Sequence, residues 1–292
     1  MSGDSKKMIA FSYLGSKFSI VDKIEPLFPE HIHFIDVFMG SMAVTLNKKR
    51  SQIETVNDIN GDVVNFFRVL RERPYELYTQ LFLTPISREE FNNSWEMENI
   101  TEMERARRFY VRIRQSFYSM GAQKQSKGWH LVKTQSRSNM AETISKWRNS
   151  IDKLFPVIDR LTSVQIENRH FRDLIPVLDF KDAFFYEDPP YPLEVRKSSN
   201  DYKFEFTDQD HEELAEINHS CKGKVMISSY DGPMMQSLYK DWYFIKLPVK
   251  LNNIRKSPVQ ECVWMNYDPN QINGRLSIFD LYSRQNETVS II

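Results

Sequence analysis

Apolar residues recur along the outer parts of the chain with the periods of helices and strands. From Lys17 to Phe28 they return every three or four positions, which predicts an amphipathic helix before Pro29. Strand and helix patterns then alternate in the order of a parallel α/β sheet, whose ligand sites lie at the carboxyl ends of the strands. The elements predicted next are a strand over 33–38, a helix over 41–49, a strand over 53–57 and a helix from about 61 to 73.

The sheet pattern resumes after Pro156. Thr207 and Asp210 have the spacing of a helix N-terminus and predict a helix in this second block. The strands predicted here are Ser163 to Glu167, Ala183 to Glu187, Lys224 to Ser228, Trp242 to Leu247 and Glu261 to Tyr267. The simplest architecture is one sheet domain over residues 1–71 and 159–292, interrupted by a mainly helical lobe over residues 72–158.

Composition narrows the class of protein. A chain of 292 residues fits one large domain with an inserted lobe, or two domains. The 39 basic and 39 acidic residues cancel and 41% of the residues are apolar, so disordered and low-complexity classes are excluded. There is no apolar run of about 18 residues and no secretory signal, and Cys221 and Cys262 have neither metal-ligand nor disulfide spacing. We therefore expect a folded cytoplasmic protein without a membrane segment or a metal site.

The middle of the chain is basic although the net charge is zero. Between Arg105 and Lys153, twelve basic residues stand against two acidic ones, Glu142 and Asp152. Such a segment fits a surface that neutralises phosphates and stacks rings on bases. A solvated helix face backed by core aromatics is the alternative, and the charge pattern alone leaves it open. The aromatic residues among these charges are Phe109, Tyr110, Phe117, Tyr118, Trp129 and Trp147.

Two features at predicted strand ends indicate a ligand site in the first block. Phe38-Met39-Gly40-Ser41 follows a strand and opens a helix, which places a small residue where the backbone must approach a ligand. Asp58 ends the next strand, where adenosine-binding α/β folds hold ribose hydroxyls with a carboxylate. A tight turn without a ligand, and an N-cap or Asx-turn at Asp58, are structural alternatives that stay open.

The strongest chemical signal is Asp188-Pro189-Pro190-Tyr191, directly after an apolar run. The prolines end the strand and leave a carboxylate, a carbonyl and a ring at its carboxyl end. The Asp188 carboxylate and the Pro189 carbonyl can accept both hydrogens of an exocyclic amino group, which turns its lone pair toward a methyl sulfonium. The Tyr191 ring can stack on a base removed from the duplex. These residues predict alkylation of an amino group without a metal or a covalent nucleophile.

The chain resembles the Dam-like adenine-specific DNA methyltransferases nearly from end to end. The matching motifs are Tyr13 to Lys17, similar to the N-terminal cofactor motif; Asp36 to Gly40, the F-x-G motif; Asn57 to Asn60, the ribose motif; Asn168 to Asp173, beside the cofactor adenine; Asp188 to Tyr191, the catalytic motif; and Glu261 to Tyr267, the late strand. The chain departs from the family pattern at Met42, which replaces a small residue, and at Tyr13, where related enzymes often have tryptophan.

This resemblance implies a Rossmann-like methyltransferase sheet, mostly parallel with a late antiparallel strand. It also implies S-adenosylmethionine as methyl donor. The residues implied for donor binding are Tyr13 and Lys17 over the methionine end, Phe38 and Gly40 lining the pocket, Asp58 on the ribose, Phe171 near the adenine, and Asp188 facing both donor and target. Catalysis is assigned in the same way to Asp188, Pro189 and Tyr191.

The function implied is site-specific methylation of the 6-amino nitrogen of adenine in double-stranded DNA, by base flipping, with the inserted lobe reading the sequence. Methylation of the cytosine 4-amino group is an alternative because the catalytic motif does not separate the two amino groups physically. A catalytically silent DNA-binding regulator on the same fold is another. A restriction endonuclease acting separately, in a bacterial or phage-infected cell, is an expected partner. The residues expected to contact DNA are Arg105, Arg108, Arg112, Arg114, Lys124, Lys127 and Trp129.

Overall fold

A computed structural model describes residues 7–13, 15–116, 128–196, 203–251 and 258–272. The strands in these ranges are β1 (His33–Asp36), β2 (Ile53–Asn57), β3 (Ser136–Arg137), β4 (Met140–Ala141), β5 (Gln165–Glu167), β6 (Ala183–Glu187), β7 (Lys224–Tyr230), β8 (Tyr243–Lys246), β9 (Lys250–Leu251), β10 (Pro258–Val259) and β11 (Glu261–Met265). Seven of them form one sheet in the order β5-β2-β1-β6-β7-β11-β8. Every strand predicted from the sequence is present, with bounds that differ by a few residues at most.

The sheet is mostly parallel, as predicted, and its late strand is antiparallel. β1 pairs in parallel with β2 on one side and with β6 on the other. β11 lies antiparallel between β7 and β8. Asp36, the last residue of β1, faces Val56 on β2 and Tyr186 on β6, so these three strands end at the same level. Chain segments that follow them must therefore meet at one edge, where the strand order reverses.

Helices cover the sheet and build most of the middle segment. They are α1 (Val21–Ile24), α2 (Ala43–Asn47), α3 (Gly61–Glu72), α4 (Pro74–Leu83), α5 (Arg88–Asn93), α6 (Glu102–Gln115), α7 (Glu142–Asp152), α8 (Leu154–Leu161), α9 (Phe171–Leu178), α10 (Asp208–Ser220) and α11 (Pro233–Leu238). The predicted start of α10 is confirmed, because Thr207 and Asp210 form a reciprocal capping box. Within the described ranges, no helix is both long and apolar enough to span a bilayer.

Two helices of the first block are shorter than predicted. The predicted helix over 17–28 is divided into α1 and two flanking 3₁₀ turns, Lys17–Ser19 and Glu25–Leu27. Pro26 has no N–H to donate to a carbonyl four residues earlier, so an α-helix cannot continue through it. The helix predicted over 41–49 narrows to α2 because Met42 adopts a left-handed conformation with φ 57°.

The middle segment shares a hydrophobic core with the sheet domain. Phe66 on α3 stacks on Tyr110 of α6, with ring centroids 5.5 Å apart and planes 5° apart. The same core contains Val56 of β2 and Trp147 of α7. α4 to α8 thus pack on the helical layer of the sheet through apolar surface, which stabilises their position relative to the strand ends. The domain boundaries at 72 and 158 stay a prediction.

Candidate active site

A cleft opens at the edge where β1, β2 and β6 end. This is the place that a reversal of strand order predicts for a ligand site. Most of the residues singled out from the sequence for donor binding and catalysis line it: Tyr13, Lys17, Phe38, Gly40, Asp58, Asp188, Pro189 and Tyr191. The structure therefore brings four separate motifs together, although the sequence separates their residues by up to 178 positions.

The turn after β1 requires the glycine found there. Gly40 has φ +46°, and a Cβ at this position would lie 3.0 Å from the ring of Tyr13. The Gly40 N–H donates a hydrogen bond of 3.0 Å to Oδ2 of Asp58. Met42 takes the other left-handed position in this turn, where a glycine would be unstrained, and its side chain is buried. The departure at Met42 therefore leaves the turn intact and places its side chain in the core.

Asp58 connects this turn to the start of α3. Its Oδ1 accepts a hydrogen bond of 2.8 Å from the N–H of Asn60, which is an Asx-turn. The N-cap of α3 is Asn60, whose side chain accepts from the N–H of Asp62. Burial raises the pKa of Asp58 to about 6. Asp58 is thus not the helix cap, and its carboxylate is held by backbone donors at the wall of the cleft.

Asp36 adds a carboxylate that the sequence analysis did not single out. It is the last residue of β1, is almost completely buried and lines the cleft. The hydroxyl of Thr45 donates a hydrogen bond of 2.7 Å to its Oδ2. Burial raises the pKa of Asp36 to about 7. A carboxylate at the last position of a buried parallel strand is the signal that points to it, because that position faces the ligand edge.

Asp188 is held by two residues from distant parts of the chain. The Nζ of Lys17 lies 2.7 Å from Oδ1 and 2.8 Å from Oδ2 of Asp188. The hydroxyl of Ser228 on β7 donates to Oδ1 at 2.9 Å. Burial raises the pKa of the Asp188 carboxyl, although the charge of Lys17 opposes the rise. Asp188 thus has a fixed orientation at the end of β6.

Lys17 is a buried ion-pair partner rather than a solvated lysine at a helix start. Its side chain is 2% exposed, and it also donates to the carbonyl of Gly15 at 2.9 Å. Burial acts to lower the pKa of Lys17, but the carboxylates of Asp188 and Glu261 outweigh burial and raise it. The sequence prediction that Lys17 contacts the methionine end of the donor stays a prediction. What the structure adds is its contact with the catalytic motif.

Tyr191 lies beside this ion pair. Its hydroxyl donates a hydrogen bond to Oε2 of Glu261, and its ring packs edge-on against Tyr230, with centroids 4.7 Å apart. The Nζ of Lys17 is 5.0 Å from the centre of the Tyr191 ring. Glu261 was part of a family-like motif in the sequence but had no role there. An antiparallel strand begins where its parallel neighbours end, so the first residue of β11 necessarily lies at the edge of the cleft.

Phe171 does not line the cleft. It lies at the start of α9 in the hydrophobic core and packs against Phe38 and Phe206, with ring centroids 6.2 and 5.4 Å away. Phe38, in contrast, is a lining residue. Phe171 thus packs behind a lining residue, and its place near the adenine of the donor stays a prediction.

The arginines predicted to contact phosphates differ in accessibility. Arg105 has 44% of its side chain exposed and bonds with Asp62 at 2.7 Å. Arg114 is partly exposed and reaches a backbone carbonyl on α7. Arg108 is largely occupied by Glu104 and by carbonyls of the preceding loop. Arg112 is only 7% exposed and also faces Asp62. Its burial gives a phosphate no direct access to the guanidinium in this structure, and its role as a phosphate contact stays a prediction.

The aromatic residues of the basic segment are largely core residues. Phe109, Tyr110 and Trp147 are buried, as the structural alternative proposed. The indole N–H of Trp129 donates to Oε1 of Gln115 at 3.3 Å, and the guanidinium of Arg88 lies 4.9 Å from the centre of its ring. Trp129 is partly exposed. Lys124 and Lys127, which were also predicted to contact DNA, lie outside the described residues, as do Phe117 and Tyr118.

The charges of the cleft favour a cationic ligand. Lys17 and Lys203, the two lysines in its lining, are already paired with Asp188 and Asp62. Asp36 and Asp58 form no salt bridge with any described residue. In the part of the chain that the structure describes, no group of three or more His, Cys, Asp or Glu side chains is arranged to hold a metal ion.

The sheet order, the glycine turn after β1 and the carboxylate after β6 define a Rossmann-like methyltransferase fold. The model of the D12 class N6 adenine-specific DNA methyltransferase family matches residues 13–254, and the chain belongs to this family. It is therefore an enzyme that methylates adenine in DNA. The alternatives of a cytosine 4-amino methyltransferase and of a silent DNA-binding regulator are not supported.

Three methyltransferases are similar in sequence to this chain. The chain is 25% identical over 281 residues to the Type II methyltransferase M1.LlaDCHI of Lactococcus lactis subsp. cremoris, which covers 87% of this chain and 94% of that protein. It is 24% identical over 249 residues to the DNA N-6-adenine-methyltransferase of Escherichia phage P1, over 79% of this chain and 31% of that protein. The modification methylase StsI of Streptococcus sanguinis is 34% identical over 64 residues.

The family implies S-adenosylmethionine as methyl donor, and the residues of the cleft fit it. The donor carries a sulfonium and an ammonium group, and Asp36 and Asp58 line the cleft with carboxylates that form no salt bridge within the described ranges. Gly40 lets the Tyr13 ring pack directly against the backbone of the turn, and both residues line the cleft. When bound, the donor supplies an electrophilic methyl group.

Proposed function

We propose that the enzyme methylates the 6-amino nitrogen of an adenine that has been rotated out of double-stranded DNA into the cleft beside Asp188. One observation carries this proposal: the Asp188 carboxylate is fixed by Lys17 and Ser228 at the wall of the cleft, next to the Tyr191 ring. A fixed hydrogen-bond acceptor beside a flat ring is what an unpaired base with an exocyclic amine needs.

Asp188 and Pro189 act on the amino group in this proposal. The carboxylate of Asp188 and the carbonyl of Pro189 accept its two hydrogens, which directs the nitrogen lone pair toward the methyl carbon. As the nitrogen–carbon bond forms and the carbon–sulfur pair returns to sulfur, the nitrogen releases a proton. Burial raises the pKa of Asp188, so this carboxylate is a suitable acceptor for the proton before it passes to solvent. Tyr191 stacks on the extruded base.

The donor site is proposed from the other wall of the cleft. Asp58 would accept the ribose hydroxyls, Phe38 and Tyr13 would supply apolar contacts, and Gly40 would let the backbone approach. Asp36 would face the positive charge of the donor. Support for Asp36 comes from its buried position at the end of β1 and from the lack of a salt-bridge partner among the described residues.

The DNA surface is proposed to run along α6, from Arg105 to Arg114, and to continue into the basic segment that follows α6 in the sequence. Arg105 and Arg114 keep exposed or partly exposed guanidinium groups that can neutralise phosphates. Lys124, Lys127 and Trp129 stay in the proposal as residues that read bases. We also propose that the enzyme acts in the cytoplasm of a bacterial or phage-infected cell, where its DNA substrate lies, and that a separate endonuclease shares its recognition site.

The test is a single-turnover measurement of labelled methyl transfer to duplex DNA by Asp188→Asn. The amide retains an oxygen for Lys17 but loses the charge, so we expect the rate to fall by about 100-fold or more, with donor affinity changed only a few-fold. Asp159→Asn is the matched control, because Asp159 has 83% of its side chain exposed and its carboxylate pairs with Arg50 at the surface. Turnover near that of the parent in Asp188→Asn would contradict the proposal.

A further inference from the structure

Glu261 occupies an unusual position for a buried carboxylate. It is the first residue of β11 and pairs across the sheet with Tyr230, the last residue of β7. Its side chain is only 6% exposed, and its backbone carbonyl accepts a hydrogen bond of 2.8 Å from the N–H of Leu247. The backbone is thus held by the sheet while the carboxylate faces Tyr191 and Lys17, two residues that line the cleft. Keeping a carboxylate in such a place is unfavourable unless specific partners stabilise it.

The partners of Glu261 belong to the proposed catalytic site. Its Oε2 accepts the hydrogen bond from the hydroxyl of Tyr191 and lies 3.7 Å from the Nζ of Lys17. Lys17 in turn contacts both oxygens of Asp188. A continuous path of charged and hydrogen-bonded groups therefore connects Tyr191, Glu261, Lys17 and Asp188. It joins the ring expected to stack on the base to the carboxylate expected to orient its amine.

We propose that Glu261 is a positioning residue for methyl transfer, which sets the orientation of the Tyr191 ring through the tyrosine hydroxyl and shares Lys17 with Asp188. This inference rests on the proposed roles of Asp188 and Tyr191. Stacking alone uses only the ring of Tyr191, so it gives the hydroxyl no function. The hydrogen bond to Glu261 gives it one, because a ring held at both ends cannot tilt away from the plane of the base.

A consequence is that Tyr191→Phe should impair catalysis although the ring is kept. The substitution removes the donor that faces Glu261 in a buried site, and a buried charge that loses a partner is strongly unfavourable. Glu261→Gln keeps an oxygen that can accept from Tyr191 but removes the negative charge next to Lys17. Both variants should therefore disturb the contact between Tyr191 and Glu261, one by removing the donor and the other by changing the acceptor.

The experiment is a double-mutant cycle with Tyr191→Phe, Glu261→Gln and the combined variant, in which kcat, KM for duplex DNA, donor affinity and the free energy of unfolding are all measured. We expect kcat to fall by about 10- to 100-fold in each single variant, while donor affinity and KM change by less than about threefold. The combined variant should lose no more than the worse single variant, since both remove one interaction. Tyr75→Phe and Glu216→Gln, at exposed positions, are the matched controls.

Four outcomes would count against the inference or the proposed function. If Tyr191 and Glu261 are coupled in the free energy of unfolding but not in kcat, their contact has a purely structural role and the inference is overturned. It is also overturned if both single variants have the kcat of the parent. Asp188→Asn is measured in the same series. If Asp188→Asn is inactive while Tyr191→Phe and Glu261→Gln turn over normally, only the inference about Glu261 fails. If Asp188→Asn itself turns over normally, the proposed function fails with it.

Discussion

Replacing Asp36 by asparagine should stabilise the ligand-free enzyme at alkaline pH. Burial raises the pKa of Asp36 from 3.8 to about 7, and at 1.36 kcal/mol for each pKa unit the ionised carboxylate costs roughly 4 kcal/mol above pH 7. Asparagine carries no charge, and its side-chain oxygen can still accept the hydrogen bond from Thr45. The site thus holds a destabilising charge where a cationic donor would bind.

The sign of this stability difference follows from the number of protons that the folded and unfolded states bind. Between pH 4 and 7, the folded state binds more protons at Asp36 than the unfolded chain does, so this residue lowers the free energy of unfolding as pH rises through that window. Glu187, whose pKa burial raises to about 8, acts in the same direction in parent and variant, so its effect cancels in the difference. The charge of Asp58 helps to raise the pKa of Asp36, so the repulsion between these two carboxylates is part of the difference.

Urea unfolding of both proteins without ligand, from pH 4.5 to 8.5, measures that difference. We expect the variant and the parent to be close in stability near pH 4.5 and the variant to be more stable by up to roughly 4 kcal/mol at pH 8.5. Donor affinity should fall in the variant at the same time. A difference that does not depend on pH, or a variant that is less stable at pH 8.5, would refute the reasoning from burial.

Two further predictions concern the turn and the basic helix. Gly40→Ala places a Cβ 3.0 Å from the Tyr13 ring at φ +46°. The variant should lose about 1 to 2 kcal/mol of stability and bind the donor more weakly in calorimetry. Unchanged donor affinity would argue against this turn as part of the donor site. Arg105→Ala should flatten the slope of log affinity for DNA against log salt by about one unit. Arg112→Ala should leave that slope unchanged. It should instead lower the free energy of unfolding by roughly 1 to 3 kcal/mol, a loss that stays limited because Asp62 retains Arg105 and Lys203 as partners. Equal slopes for Arg105→Ala and Arg112→Ala would contradict the view that only Arg105 of the two contacts a phosphate.

Local patterns were sufficient to predict the strands and to single out the Asp188 to Tyr191 motif that follows β6. The strands at residues 53–57 and 183–187 have the predicted bounds, because a short apolar run between turn residues has few other ways to be buried. The turn at Gly40 was equally visible, since only a glycine fits a left-handed position against a ring. These features depend on residues close together in the sequence.

What the sequence could not predict depends on partners far along the chain. Lys17 meets Asp188 across 171 positions, and Arg112 meets Asp62 across 50. A count of charges between residues 105 and 153 treats Arg112 as a surface group, because nothing near it in sequence shows that α6 packs on α3 at that point. The role of Glu261 was hidden for the same reason: only the antiparallel pairing of β11 brings it to the ligand edge.

The most direct test of the central claim is mass spectrometry of nucleosides from duplex DNA that has been treated with the enzyme and an isotope-labelled donor. We expect the label in N6-methyladenine with the parent and with Asp159→Asn, and its loss with Asp188→Asn. Label in N4-methylcytosine, no label in any nucleoside, or equal labelling by Asp188→Asn would contradict an adenine methyltransferase that acts through this carboxylate.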